Sequence, residues 1–270
     1  MNADLPIGIF DSGIGGLTVV RRIHRALPRE DLVYLGDTAR VPYGTKSPST
    51  VVRFSCEDTQ FLLHQNVKAV VVACNTASAW ALPILERKFD VPIFGVILPG
   101  VRAALDQTRN QRVGVIGTGA TIRSKAYSAG LLARRDTVKV FARACPMLVP
   151  LVEEGWTNHP ITNQVLAEYL APLRRHRIDT LILGCTHYPL LKPAIRAVVG
   201  SGVALVDSAE SCARYVKERL EYLNLLSKTR RRAGTIQPFV TDEADRFADL
   251  ARRFLGVATE PASKVELPPI

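Results

Sequence analysis

The chain has 270 residues, 47% of them hydrophobic and 22% charged, with a formal net charge of +10. That length suits one large or two small domains, and the composition excludes a disordered or fibrous chain. No apolar run approaches the roughly 18 residues that span a bilayer, and the opening MNADLPIGIF lacks the basic start and apolar stretch of a secretory signal, so a cytoplasmic protein without a membrane partner is expected.

In chain order, short apolar runs at 7–10, 32–35, 69–73, 93–97, 113–116, 138–141, 180–183 and 204–206 alternate with other stretches. Those at 17–27, 48–65, 78–89 and 163–175 carry apolar residues at helical spacing. Runs that are apolar throughout predict strands buried on both faces, as in a parallel sheet covered by helices. Strand–helix alternation then predicts an α/β fold.

An internal echo divides it. I-G-I-F-D-S-G at 7–13 resembles V-G-V-I-G-T-G at 113–119, and V-V-V-A-C-N-T at 70–76 resembles L-I-L-G-C-T-H at 181–187. Gly8 precedes Cys74 by 66 positions and Gly114 precedes Cys185 by 71. The expectation is two pseudosymmetric α/β domains, each a mostly parallel sheet flanked by helices, with the active site in the cleft between them. The first takes residues 1–97 and, through returning C-terminal helices, 208–256; the second takes 98–207. One more short apolar run lies at 238–240, and 257–270, rich in proline, is expected to be a flexible tail.

The five cysteines are an odd number without C-x-x-C spacing, which argues against a disulfide framework and against structural zinc. No metal is expected. Cys56, Cys145 and Cys212 read as buried and inert, the usual condition of free cysteine. Cys74 and Cys185 differ because each ends an echoed strand, and ligands of an open parallel sheet bind beyond the carboxyl ends of its strands. Asn75 and Thr76 follow the first thiol, and Thr186 and His187 the second; all can hydrogen-bond an anion. A helix expected from about 78, and another from about 190, would aim N-termini at the same place, favouring thiolate and carboxylate.

Two thiols facing one cleft suit inversion of a stereocentre. A base acts on one face of the carbon and an acid on the other, and the roles exchange for the enantiomer. A thiol titrates near about 8.5 and is easily lowered, so one of a pair can be thiolate and the other thiol. No lysine sits in a motif that would form a pyridoxal Schiff base, so no cofactor is expected. Hydrogen bonds from Asn75, Thr76, Thr118, Thr121, Thr186 and the glycine turns must then stabilise a carbanion-like transition state.

Other motifs are less decisive. In D-S-G-I-G-G-L-T at 11–18, Thr18 stands where a dinucleotide fingerprint needs its third glycine. What remains is a turn of backbone N–H groups suited to a small anion. G-D-T-A-R-V-P-Y-G at 36–44 reads as a site wall or as a surface loop. His187 reads equally as an acid/base aid to Cys185 or as a structural histidine, and Glu153 and Glu154 read as a solvated helical face. The positive charge is spread over helical segments with one cluster at 228–232 and no basic stripe interleaved with aromatics, so nucleic acid is not expected as a partner.

Six motifs taken together resemble the glutamate racemase family of the cofactor-independent aspartate/glutamate racemase superfamily. They are F-D-S-G-I-G-G-L-T-V, Y-L-G-D-T-A-R-V-P-Y-G, A-C-N-T-A-S, G-T-G-A-T-I-R-S-K-A-Y, C-P-M-L-V-P-L-V-E-E-G and L-G-C-T-H-Y-P-L-L, in order from 7 to about 207. The resemblance implies interconversion of L- and D-glutamate without pyridoxal phosphate or metal, supplying D-glutamate for peptidoglycan in the bacterial cytoplasm, usually as a homodimer. It implies that Cys74 acts on the D-enantiomer with Asp11 beside it. Cys185 would act on the L-enantiomer, assisted by Glu153 and His187, against the surface reading of Glu153. It further implies substrate contacts at Asp11, Ser12, Pro42, Tyr43, Gly44, Asn75, Thr76, Thr118, Thr121, Thr186 and His187, with Asp37 as another acidic member. Val101 departs from the alanine that members commonly carry, and position 98, here Leu, varies; both lie near the expected domain joint. Weaker readings are an aspartate or hydantoin racemase, a one-cysteine lyase or decarboxylase, and a nucleic-acid-associated binding protein.

Overall fold

The computed structural model describes residues 2–228, 233–256 and 259–267. Its first part runs β1 (Ile7–Asp11), α1 (Leu17–Ala26), β2 (Leu32–Gly36), α2 (Pro48–His64), β3 (Ala69–Val72), α3 (Asn75–Trp80), α4 (Leu82–Lys88) and β4 (Ile93–Gly95). The second runs α5 (Ile97–Gln107), β5 (Arg112–Gly117), α6 (Gly119–Arg123), α7 (Ala126–Leu132), β6 (Lys139–Ala144), α8 (Leu148–Glu153), α9 (Pro160–Arg175), β7 (Thr180–Gly184), α10 (Lys192–Val199) and β8 (Ala204–Asp207). The chain closes with α11 (Ser208–Tyr222), β9 (Ile236–Val240), α12 (Ala244–Leu255) and β10 (Ser263–Lys264).

Two parallel sheets result, ordered β10-β9-β2-β1-β3-β4 and β6-β5-β7-β8. The order β2-β1-β3-β4 repeats in equivalent strands as β6-β5-β7-β8, and the register repeats with it. Gly8 pairs with Val70, four residues before Cys74, and Gly114 pairs with Leu181, four before Cys185. The sequence echo is thus a structural one, and it puts the two cysteines at equivalent strand ends.

Strand alternation distributes the apolar residues between cores. Ile7 and Ile9 of β1, with Ala69 and Val71 of β3, face a cluster built with α1 and α11, whereas Phe10, Val70 and Val72 face the opposite one, with α2. In the second sheet Leu181 and Leu183 join the first cluster and Ile182 packs with α5 and α7. Helix starts are locally encoded: Ser47 caps α2, accepting from Thr50 N at 3.3 Å with Pro48 at the first position, and Asp207 caps α11, accepting from Ala209 N at 2.9 Å. Helix α11 packs on α1 and also on α5, β7 and β8. Among the described residues no helix is long and apolar enough to cross a membrane.

One expectation is corrected. The segment read as a flexible tail contributes β10, which pairs Ser263 with Phe239 and Lys264 with Val240, and Val265 and Leu267 pack on the Phe10 cluster; residues 257–258 and 268–270 lie outside the described residues. After Cys185 the chain makes a 3-10 turn, Tyr188–Leu191, and becomes α-helical only at Lys192. Of the basic cluster at 228–232, only Lys228 lies within the described residues.

Candidate active site

Cys74 follows β3 and caps α3, its sulfur accepting from Ala77 N at 3.5 Å while its thiol faces Ser12 Oγ at 3.6 Å. Burial pushes the thiol up to about 12, and the neighbouring Asp11 carboxylate adds to the shift. Asp11 ends β1, the strand beside β3. It is buried, and burial raises its carboxyl although the charge of His187 opposes the rise. Gly13 N–H donates to Asp11 Oδ2 at 3.2 Å. That N–H of the glycine turn, expected to face a ligand anion, is turned instead on this carboxylate.

Cys185 lies 3.8 Å from His187 Nδ1, and His187 Nε2 lies 2.9 Å from Glu153 Oε1. Burial pulls the imidazole down, but its hydrogen bonds with Cys185 and Glu153 outweigh this and push it up to about 10. The edge of Phe254 from α12 meets the ring, with centroids 5.5 Å apart. Gly15 lets the glycine turn pack closely on this segment: a Cβ there would lie 2.3 Å from Thr186 Oγ1 and 2.5 Å from His187. Thr18 ties the same segments, donating to Thr186 O at 2.8 Å.

Both thiols line one narrow cavity of about 40 Å³. Ser12, Asn75 and Thr76 form its wall on the first sheet's side and Thr118, Thr186 and His187 on the second's, with the Pro42-Tyr43-Gly44 turn across it. Hydroxyls of Thr76, Thr118 and Thr121 form a closed ring with edges of 2.9, 3.0 and 3.0 Å. Tyr127 donates to Asn75 Oδ1 at 2.7 Å. Asn75 Nδ2 and Asp11 Oδ1 are buried without a hydrogen-bond partner among the described residues, and Asn75, which lines the cavity, can take up a polar group there.

The sequence profile of Asp/Glu/Hydantoin racemases matches residues 7–216. The chain belongs to the Asp/Glu/hydantoin racemase family. A glutamate racemase of Geobacter metallireducens is 53% identical over 250 residues, covering 93% of this chain and 92% of the relative. The crystal structure of a Bacillus anthracis glutamate racemase superposes with a TM-score of 0.95 at 39% identity, covering 99% of each chain. That of a Francisella tularensis glutamate racemase in complex with D-glutamate gives 0.90 at 38%, covering 98% of each.

Several of the expected residues of this racemase lie behind the cavity wall. Thr121 meets the cavity-lining Thr76 and Thr118 through the hydroxyl ring, and Asp11 is buried at the end of the strand beside β3. Asp37 is fully buried and accepts from Tyr43 Oη at 2.5 Å and from Arg40 Nε at 2.6 Å. Glu153, at the end of α8, reaches His187 from outside and borders a neighbouring cleft with Phe247 and Leu250 of α12. Val41 and Val149 line the racemase cavity without having been singled out in the sequence, although both stand inside quoted motifs. Tyr127, Asp58 and Phe254 were also missed. Tyr127 ends a quoted motif, whereas Asp58 and Phe254 lie in ordinary helical stretches that carry no local signal.

Proposed function

We propose that this racemase interconverts L- and D-glutamate with Cys74 and Cys185 as paired acid and base on opposite faces of the α-carbon. The observation that carries this is the repeated register, which brings two thiols from equivalent strand ends into one cavity. The glutamate racemase relatives, one of them holding D-glutamate, support the substrate.

With L-glutamate, the Cys185 thiolate takes the α-proton. The C–H bond breaks, its electron pair remains on Cα and spreads into the α-carboxylate, and Cys74 S–H delivers a proton to the opposite face. The reverse reaction exchanges the roles. Burial keeps Cys74 in its thiol form, ready as the acid for the L-to-D direction. For D-to-L it must first lose that proton, and buried Asp11 is the adjacent carboxylate able to assist. The His187 cation stands 3.8 Å from Cys185, whose sulfur is negative before it takes the α-proton of L-glutamate and again after it gives a proton up in the D-to-L direction, and Glu153 orients it. Asn75, the threonine ring, Thr186 and Ser12 supply hydrogen bonds to substrate polar groups. In a water-poor cavity such preset donors favour the carbanion-like transition state. No step calls on a cofactor. The two sheets with their helices form the two lobes of the cleft, the first completed by the returning C-terminal helices. The reading includes a cytoplasmic homodimer making D-glutamate for peptidoglycan, with no nucleic-acid partner.

Circular dichroism with L- and D-glutamate separately, in deuterated water and without added cofactor, tests the reading. Both signals should decay to zero with deuterium at Cα, and Cys74→Ala or Cys185→Ala should abolish the decay. Undiminished turnover in either variant refutes the two-thiol mechanism; decay with aspartate alone keeps the mechanism and replaces the substrate.

A further inference from the structure

Beneath the Pro42–Gly44 turn lies a charge cluster that the reaction does not use. It holds three buried carboxyl groups, Asp37, Glu57 and Asp58, all reached by Arg40. Arg40 Nε reaches Asp37 Oδ2 at 2.6 Å, Nη2 reaches Asp58 Oδ1 at 3.1 Å, and Nη1 meets Glu57 Oε2. Arg53, at the rim, lies 3.7 Å from Glu57. Tyr43 closes the cluster, with its Oη 2.5 Å from Asp37 Oδ2 and 2.9 Å from Asp58 Oδ2.

The number of protons decides how these contacts work. A phenol has one O–H to donate, and an ionised carboxylate only accepts. One phenol O–H points well at only one of two carboxylate oxygens this close, and a second charged acceptor would face the phenol's lone pairs. A proton on one carboxyl, donated to Tyr43, removes that conflict. Asp37 is the better carboxylate, because Arg40 Nε and Thr241 Oγ1, at 3.0 Å, also donate to it. Asp58 has only the longer Arg40 contact on its other oxygen. Burial, reinforced by the charge of Asp37, drives the Asp58 carboxyl well above the usual carboxylate range.

We propose that Asp58 is a neutral carboxylic acid in the folded protein and a positioning residue for the active-site turn, donating to Tyr43 Oη while Tyr43 donates to Asp37. Tyr43 and Gly44 line the cavity, and a Cβ on Gly44 would lie only 2.7 Å from Thr118 Cβ. The phenol's orientation therefore sets how the turn meets the threonine ring. The functional part rests on the cavity being the glutamate site; the protonation state does not.

Infrared difference spectroscopy of the substrate-free protein, wild type minus Asp58→Asn at neutral pH, reads the proton directly and needs no turnover. A C=O band of a protonated carboxyl, shifted in deuterated water and lost in the variant, is expected; a difference spectrum without it overturns the proposal. Racemisation kinetics test the positioning role. Asp58→Asn, whose amide can still donate to the phenol, should keep KM for glutamate within about threefold, whereas Asp58→Leu should raise KM by about tenfold with a smaller change in kcat. A KM for Asp58→Asn raised by about tenfold overturns the proposal whether or not the leucine variant folds. A protein that shows the infrared band but racemises aspartate instead would refute the glutamate reading alone.

Discussion

Because His187 sits between a sulfur at 3.8 Å and a carboxylate at 2.9 Å, folding raises its proton affinity from the ordinary 6.5 to about 10. A group whose pKa is raised on folding adds stability that is complete below its unfolded value and is lost as pH rises through its folded value. The contribution of His187 is therefore whole below pH 6.5 and disappears by about pH 10. Glu153→Gln removes the carboxylate half of this arrangement. In urea denaturation at pH 6, 8 and 10, wild type should lose more stability across the window than Glu153→Gln; parallel losses would show that the imidazolium does not depend on Glu153. The pair illustrates what single residues conceal in sequence. Glu153 stands 34 positions before His187, and its helical pattern by itself reads as solvated surface. Only the family resemblance pointed to the pair. Asp58 was less legible still, a polar residue in mid-helix whose partners come from a loop and turn more than a dozen positions upstream.

At the level of elements, the strands and the limits of the longer helices α1, α2 and α9 were readable because their causes are local. Apolar runs marked the strands, and apolar residues at helical spacing over 48–65 marked α2, whose start Ser47 caps. The strand β10 was not readable, since two residues in a proline-rich segment carry no period. The helix after Cys185 was expected near 190, but a 3-10 turn intervenes, and this makes the two thiols structurally unequal. Cys74 is the cap of α3 and Cys185 caps no helix. Serine is a better cap than a thiol, which accepts weakly. Its hydroxyl can also donate to Ser12 as the Cys74 thiol does. Cys74→Ser should thus unfold in urea with a free energy equal to or above that of wild type, while Cys74→Ala loses about 0.5–1 kcal/mol; both should be inactive. A serine variant as unstable as the alanine variant would mean that the cap contributes nothing.

The pseudosymmetry of the whole molecule was legible as matched spacing, because a repeated strand register leaves a repeated sequence interval. How the two lobes meet was not. That depends on close approaches between segments far apart in the chain, and glycine marks them only by lacking a side chain. Gly44 is such a point, packed directly against Thr118. A methyl there would lie 2.7 Å from Thr118 Cβ and 3.0 Å from its Cγ2, closer than packed carbons tolerate. Thr118 cannot yield alone, because its hydroxyl is shared with Thr76 and Thr121 in one ring. The turn and the ring must separate, and neither belongs to the apolar clusters at the centre of the lobes apart from the buried Tyr43. Gly44→Ala should therefore change the unfolding free energy by less than about 1 kcal/mol, as expected for a site outside the core. It should still raise KM for both glutamate enantiomers by about tenfold, because misplacing a binding wall weakens both ground states alike. Measuring KM in each direction beside a urea melt separates the outcomes. An unchanged KM would mean that the turn absorbs the methyl and that Gly44 does not set the width of the cleft; a stability loss of several kcal/mol would mean that the lobe contact is part of the folded core.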